Sequence, residues 1–545
     1  MGRRLLVDRL RMRPTGPSVS RRGMLGGLGG LAAVGCATEG KSPVSGDTGV
    51  PTPPEGTCGP GSPTAAGDVL SAGASPFEEN PFQLGVASGD PLHDRVILWT
   101  RLVVEPTDVA SSPSASADVI WQLFADEALT VMVQEGMVVA TAESAHSVHV
   151  DVDGLDSATE YWYRFICGAH ESPSGRTRTL PCEDATVEVA RIGFATCQNW
   201  QSGFYASHRN MAEARLDLVV FLGDYIYEAG TTGEVRDHGA PECFDLEAYR
   251  NRHGLYRSDA DLQAAHQSAP WMPIWDDHEF DNNSVGGSTD DADVAARRTA
   301  AYQAWYEHMP VRRGPVADGS LQIYRAVDFG TLARFVLLDG RQHRDLQPCG
   351  DDIGATCDEV FEERTFLGAE QEAWVRTVFE TSSEQWMVVA NPVVMLPIDL
   401  AGSFLNPDQW DGYPSARARF MDTVATHAPG RTVLFSGDIH AAGVGVVPED
   451  PAVYDGPAAI AEVVVPAVSS RFENELAISV GAILAVQAHI GWWDWSVNGW
   501  TQATISADAI DVAFWLVDDR TDPVSPVTPA RTWRIEAESI VPVET

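Results

Sequence analysis

The sequence predicts an α/β domain preceded by a smaller antiparallel β-sandwich, and three observations carry that expectation. Over residues 185–545, apolar runs of strand length alternate with stretches whose apolar positions recur every three or four residues, the pattern of strands and helices laid down in turn. Over residues 79–183 no helical spacing intervenes, and strand-like runs follow one another between turn residues such as Asp153-Gly154. At 545 residues the chain is also too long for a single core.

The N-terminal region precedes both domains. Residues 1–36 hold seven arginines against one acid, Asp8, and residues 23–35 are uncharged and rich in Gly, Ala and Leu. A basic segment followed by a short apolar one is too short to cross a bilayer as an anchor and reads as an export signal. Ser20-Arg21-Arg22-Gly23-Met24-Leu25 places paired arginines ahead of the apolar stretch, which resembles a twin-arginine (Tat) signal. The expected destination is therefore periplasmic, cell-surface or extracellular, by way of the Tat export machinery. Cys36 follows Ala33-Val34-Gly35, an imperfect lipobox. Two outcomes stay open there: lipidation of Cys36, giving a membrane tether, or cleavage nearby. Residues 37–78 are dominated by Gly, Ser, Pro, Thr and Ala, a composition that buries too little apolar surface to order itself and reads as a tether.

Charge narrows the partners. Lys and Arg number 37 against 77 Asp and Glu, a net charge of −40. Beyond residue 36 the balance is 30 against 76. Nucleic acid is excluded as a partner, because phosphate backbones select basic surfaces. Such acidity suits a solvated surface facing salt or divalent cations and does not name a substrate. Of the eight cysteines, Cys349 and Cys357 bracket a Gly- and Asp-rich loop, so a local disulfide is expected there; the other pairings stay open.

In the first domain, residues 95–102, 119–124, 147–152 and 161–165 are the expected strands, and their spacing resembles a sandwich of fibronectin type III kind. No convergent polar cluster marks it, so it reads as a structural or docking module. In the second domain, six strand-like runs end in polar groups. Residues 192–196 lead into Cys197, 218–222 into Gly223-Asp224, 271–275 into Asp276-Asp277-His278-Glu279, 335–338 into Asp339-Gly340-Arg341, 387–390 into Asn391, and 432–435 into Ser436-Gly437-Asp438-Ile439-His440. Helices are expected over 293–308 and 369–379. Ligands in open α/β sheets bind at the carboxyl ends of strands. Six polar ends read as one site at one edge of the sheet.

Asp224 and Tyr227 offer a carboxylate and a phenolate three residues apart, donors that suit Fe(III). Asp277, Asp438 and His440 add oxygen and nitrogen for more than one cation, and two cations can clamp a phosphoryl group. Cys197 adds a thiolate whose pKa falls beside a metal. Singly, Asp276 and Asp277 could cap a helix and His440 could be a satisfied core histidine; jointly, the pattern favours a metal site.

Gly-Asp-x-x-Tyr at 223–227, Trp-Asp-Asp-His-Glu at 275–279 and Gly-Asp-x-His at 437–440 resemble the calcineurin-like metallophosphoesterases, and among them the alkaline phosphatase D (PhoD-type) family. Residues 82–102, 249–257, 338–341 and 410–414 resemble further landmarks of that family. The resemblance implies a metallophosphoesterase α/β sandwich holding a ferric ion, Fe(3+), with calcium ions, Ca(2+). It implies Cys197 and Tyr227 on iron, Asp224 bridging iron to calcium, and Asp277 and Asp438 as carboxylates suited to calcium, where the wider superfamily carries Asn and His. His440 would be a further ligand or a group behind one. His278 would lie over the scissile phosphate as an acid or an electrostatic stabiliser. Asn391 occupies the approximate place of another ligand, in a looser match. Arg341 would hold phosphate oxygens or pair with Asp339. The implied function is an exported, metal-dependent phosphatase or phosphodiesterase that hydrolyses a phosphate mono- or diester with a metal-bound hydroxide. Two rivals stand beside it: a purple-acid-phosphatase-like Fe–Zn enzyme, against which the absence of Gly-Asn-His-Glu and Gly-His-x-His counts, and a non-catalytic surface protein that binds through its β-sandwich.

Overall fold

The computed structural model describes residues 70, 73–230, 232–286, 291–312, 314, 316, 319–352, 354, 357–398, 406–451, 453–472, 484, 486–537 and 539–545. The expected export signal over 1–36, with Cys36, and all of the 37–78 tether but its last residues lie outside them. Those last residues are not free chain: Phe77 is buried in the sandwich core and meets the His146 ring edge-on at 5.4 Å. Packing thus begins ahead of residue 79.

The first eight strands rest partly on alternation, as in Glu160–Cys167, and partly on runs buried along their whole length, as in Val96–Arg101. β1 (Val86–Gly89), β2 (Val96–Arg101) and β5 (Ser147–Val152) form one antiparallel layer. β3 (Ala117–Phe124), β4 (Met132–Ala140), β6 (Glu160–Cys167), β7 (His170–Glu171) and β8 (Gly175–Arg178) form the other. Val86, Val96, Leu98 and Val148 of the first layer share a core with Val119, Leu123, Tyr163 and Phe165 of the second. The sandwich does not stand apart. Gly89 pairs in parallel with Trp271, so its first layer continues the main sheet of the following domain. Only glycine fits there, because a Cβ would lie 2.2 Å from the Pro310 carbonyl oxygen.

That main sheet carries β9 (Val189–Ala195), β10 (Leu218–Phe221) and β11 (Trp271–Pro273) in parallel. On its far side it is extended by the antiparallel β19 (Gly499–Ser506), β20 (Ala509–Val517), β21 (Val527–Glu536) and β22 (Val543–Glu544). A second sheet orders β12 (Arg325–Phe329), β13 (Ala333–Leu337), β14 (Trp386–Asn391), β15 (Thr432–Ser436), β17 (Ala458–Val464), β16 (Ala442–Pro448) and β18 (Ile490–Asp494), with β13, β14, β15 and β17 parallel. The alternation of strands and helices suggested one sheet; two stack face to face, as the implied α/β sandwich requires.

The period-2 rule explains why both faces of these strands are apolar. Val388, Ala390, Val433 and Phe435 point into the core shared with Ile192, Phe194 and Val220 of the main sheet. Val389 and Leu434 point the other way, onto Val375, Phe379, Phe420 and Val424. Those four residues belong to the helices Gly368–Glu380 and Pro414–His427. The helices Ala206–Glu213, Leu246–Arg257 and Ala260–Ser268 add Met211, Tyr249 and Leu262 to the main-sheet core. The result is a sandwich of two sheets with helices outside, and the described residues pack as one compact unit. The helix expected over 293–308 is Ala292–His308, started by the Asp291 carboxylate, which accepts from the Asp293 amide at 3.0 Å.

Cys349 and Cys357 are joined, their Cα atoms 5.6 Å apart. Among the described residues, no helix is long and apolar enough to cross a membrane. Between the two sheets the Phe194 and Phe435 rings stack, with centroids 3.7 Å apart. Both rings are fully buried, so Phe194→Ala is expected to lower unfolding stability by about 3–5 kcal/mol, measured by chemical denaturation.

Candidate metal centre

The carboxyl ends of β9, β10 and β11 in one sheet and of β13, β14 and β15 in the other converge, so the polar strand ends read from the sequence come from two edges rather than one. Each parallel strand stops in a tight turn. Cys197 follows β9 with φ 55°, Asp224 follows β10 with φ 58°, and Asp438 and His440 follow β15 with φ 65° and 54°. All four lie in the left-handed region, uncommon for residues other than glycine and concentrated at functional sites. Gly223, with φ 109°, prepares the second turn; a Cβ there would meet the Asp276 amide nitrogen at 2.6 Å.

The turns bring donor atoms together in three groups, each within 4.8 Å: Cys197 with Asp224 and His440; Asp224 with Asp277 and His278; and Asp276 with Asp277 and Asp438. Asp224 and Asp277 each belong to two groups, so the three interlock. The Tyr227 hydroxyl joins the first, donating to Asp224 Oδ2 at 2.8 Å and lying 3.0 Å from His440 Nε2. Ser470 Oγ is 2.7 Å from that hydroxyl. His440 Nδ1 is 3.1 Å from the Arg471 carbonyl oxygen, which leaves Nε2 directed at Tyr227 and Asp224.

The supporting hydrogen bonds account for these positions. Glu279, fully buried, accepts from the amides of Asp224 at 3.0 Å, Tyr225 at 2.5 Å and Asp276 at 2.8 Å, strapping the turn after β10 to the turn after β11. Asp277 Oδ2 accepts from the Asn283 amide at 2.6 Å. The His278 ring lies over the Tyr227 ring with centroids 4.1 Å apart, and its Nδ1 is 2.7 Å from Glu228 Oε2. Arg252 holds the chain beyond the site, donating to the carbonyls of Tyr227, of Ala229 at 3.1 Å and of Pro241 at 2.9 Å.

Arg341 and Asn391 make contacts other than those the sequence suggested. The Arg341 guanidinium is enclosed by carboxylates: Asp276, with Nη2 to Oδ2 at 2.9 Å, Asp408 at 2.9 Å, Asp438 at 3.3 Å and Asp277 at 3.8 Å. Asp339 instead accepts from the Arg341 amide at 3.0 Å. Every guanidinium nitrogen is thus committed to holding acids in place rather than to gripping phosphate. Asn391 still sits within β14, in register with Ser436. Its amide nitrogen donates to the Val393 carbonyl and, at 3.2 Å, to Ser436 Oγ, and its oxygen accepts from the Trp410 indole at 3.2 Å. The carboxamide belongs to the packing beneath the site.

The sequence reading passed over Glu228, Asp408 and Ser470. Only Glu228, one residue beyond Gly-Asp-x-x-Tyr, stood next to a marked motif; the other two reach the site through long-range folding.

Electrostatics follow from burial. Desolvation and the neighbouring Asp224 raise the Cys197 thiol well above its ordinary value. Burial and Asp224 likewise raise the Tyr227 phenol. Burial also lifts Asp224 and Asp276, and carries Asp438 to about 7. At Asp277 burial works in the same direction, but Arg341 and His278 outweigh it and keep this carboxyl ionised. At His278 burial opposes charge and is overcome by Glu228, Asp277 and Asp224, which raise it; burial lowers His440 to about 4. One buried guanidinium therefore faces more acid than it can neutralise. A thiol, a phenol, carboxylates and an imidazole with its Nε2 turned inward form a donor set that highly charged cations fit, since a bound cation reverses the local proton preferences.

Comparison with known proteins agrees with this architecture. Residues 192–514 match the PhoD-like phosphatase family, and residues 67–181 match the PhoD-like phosphatase N-terminal domain. Alkaline phosphatase D of Bacillus subtilis (strain 168) is 42% identical over 381 residues, a match covering 67% of this chain and 65% of the relative, so the chain spans just under two thirds of that protein's length. A solved structure described as that of PhoD superposes with a TM-score of 0.82 at 35% identity, covering 87% of this chain and 93% of the other. Two sheets packed face to face, interlocking acids and matches along both parts of the chain lead to one conclusion: this chain belongs to the PhoD-like phosphatase family.

Proposed function

We propose that this chain is an exported phosphoric ester hydrolase, an alkaline phosphatase or phosphodiesterase, working with a ferric ion and calcium ions. The observation that carries the reading is the interlocking of the three donor groups through Asp224 and Asp277. Cys197, Asp224, Tyr227 and His440 supply the softer thiol and imidazole together with a phenolate, the set suited to iron. Asp276, Asp277 and Asp438 supply carboxylates suited to calcium. Bound there, such cations take up phosphoryl charge and supply a hydroxide nucleophile.

The chain's own residues do the rest. Arg341 keeps Asp276, Asp277 and Asp438 from separating under their mutual repulsion. Glu279 fixes the two turns that carry Asp224 and Asp277. His278, with a side chain 16% exposed and its ring over Tyr227, stands ready to give a proton to the leaving oxygen. Export through the Tat pathway is supported by Arg21-Arg22, and a lipid tether at Cys36 belongs to the same reading.

Three measurements test it. Purified protein should absorb visible light through phenolate-to-iron charge transfer, and Tyr227→Phe should bleach the band with the fold intact; a colourless, iron-free and fully active wild type would sink the iron assignment. A chelator should abolish activity and Ca²⁺ should restore it, whereas recovery with Zn²⁺ alone would favour the Fe–Zn rival. His278→Ala should keep its metal and lose about a hundredfold or more in rate on a substrate with a poor leaving group, with a smaller loss on nitrophenyl phosphate. Asp224→Ala should lose metal and activity together on every substrate.

A further inference from the structure

Nothing in a carboxylate following Gly-Asp-x-x-Tyr announces a role, yet Glu228 is placed with unusual care. Its side chain is 4% exposed, and its two oxygens have separate duties. Oε1 accepts from the Asn282 amide at 3.2 Å, which ties the carboxylate to the segment following His278. Oε2 lies 2.7 Å from His278 Nδ1. The imidazole is thus gripped at one nitrogen and rests by its face on the Tyr227 ring. Its backbone amide, meanwhile, donates to Asp277 Oδ1 at 2.9 Å and points at Asp224 Oδ1 at 3.4 Å. Two torsions normally let an imidazole turn its nitrogens anywhere; here the carboxylate allows one orientation, with Nδ1–H donated to Glu228 and Nε2 left for a ligand.

We propose that Glu228 is a positioning residue for phosphate ester cleavage. It acts through His278, presenting Nε2–H to the leaving-group oxygen. The proposal rests on the phosphoric ester reading and on the proton-donor role of His278 within it. As the hydroxide oxygen bonds to phosphorus and the ester P–O bond breaks, the Nε2 proton passes to the departing oxygen to give the free alcohol. Nδ1–H remains on Glu228 throughout, and water returns the proton to Nε2 after release. An oriented donor is most needed where the leaving group is a poor one, so the signature of Glu228 lies in the substrate dependence of kcat rather than in KM or metal content.

The isosteric Glu228→Gln keeps an acceptor for the Asn282 amide while setting an N–H against Nδ1. Wild type, Glu228→Gln, His278→Ala and the double variant should be compared on 4-nitrophenyl phosphate and glycerol phosphate, with iron and calcium measured on each preparation. Glu228→Gln is expected to keep its metals and its KM, to lose kcat on glycerol phosphate by about a hundredfold, and to lose less than about tenfold on 4-nitrophenyl phosphate. In the His278→Ala background it should have no further effect, because the two residues act as one unit. Equal losses on both substrates, loss of metal, or effects that multiply in the double variant would overturn the proposal. If His278→Ala shows the leaving-group signature and Glu228→Gln does not, the Glu228 proposal fails alone. If His278→Ala lacks it, the proton-donor reading fails and the proposal with it. Glu228→Asp, which keeps the charge and shortens the reach, should show the same signature to a smaller degree, and provides the test should the Gln variant not fold.

Discussion

Four carboxylates closing on one buried guanidinium set the terms for the rest of the structure. Asp276 and Asp277 come from the turn after β11, Asp408 from the segment before the helix Pro414–His427, and Asp438 from the turn after β15; Arg341 comes from the turn after β13. A charge taken from water costs several kcal/mol unless it is paired and hydrogen-bonded, so none of these turns can move without exposing a charge or leaving one unpaired. Arg341 thereby joins the strand ends of one sheet to those of the other. It also leaves an excess of buried acid, and that excess is what bound cations would neutralise.

Around this hub the backbone is as tightly accounted for as the side chains. Glu279 collects three amide hydrogens that turn geometry would otherwise leave without acceptors, and it does so across two strands. Gln409 holds the other side, donating to Asp438 while accepting from the Val394 amide at 2.6 Å. Asp351, inside the disulfide-closed loop, receives the Asn283 carboxamide at 2.6 Å, and the Asn283 amide in turn supports Asp277. Rigid donors of this kind need little reorganisation when charge develops, and this is the usual source of electrostatic catalysis.

The candidate donors were legible in the sequence because each follows directly on an apolar run, and a buried parallel strand that stops at a polar residue exposes that residue at its carboxyl end. Cys197, Asp224, Asp277, Asp438 and His440 were all visible for this reason. What connects them was not. Asp408 and Ser470 arrive from segments without a motif, and the partnership of Glu228 with His278 spans fifty residues of sequence. Asn391 misled because a strand-end asparagine looks the same whether its amide faces a cation or, as here, a tryptophan. The strands from β16 to β22 carry no strand-end chemistry and went unread, although four of them widen the main sheet. The strand pairing that joins the sandwich to that sheet is a single pair, Gly89 and Trp271, which no local pattern could reveal.

The left-handed backbone at Cys197, Asp224, Asp438 and His440 sets durability against chemistry. Each such residue carries of order 1–3 kcal/mol of conformational strain, least for the aspartates and most for the others. Glycine would relieve it at every one of the four, and at the two aspartates would also remove a crowded charge. Selection for heat resistance alone would thus erode the donors before it touched the core. At each of these positions a more relaxed backbone lies one substitution away, and taking it would cost the site a donor.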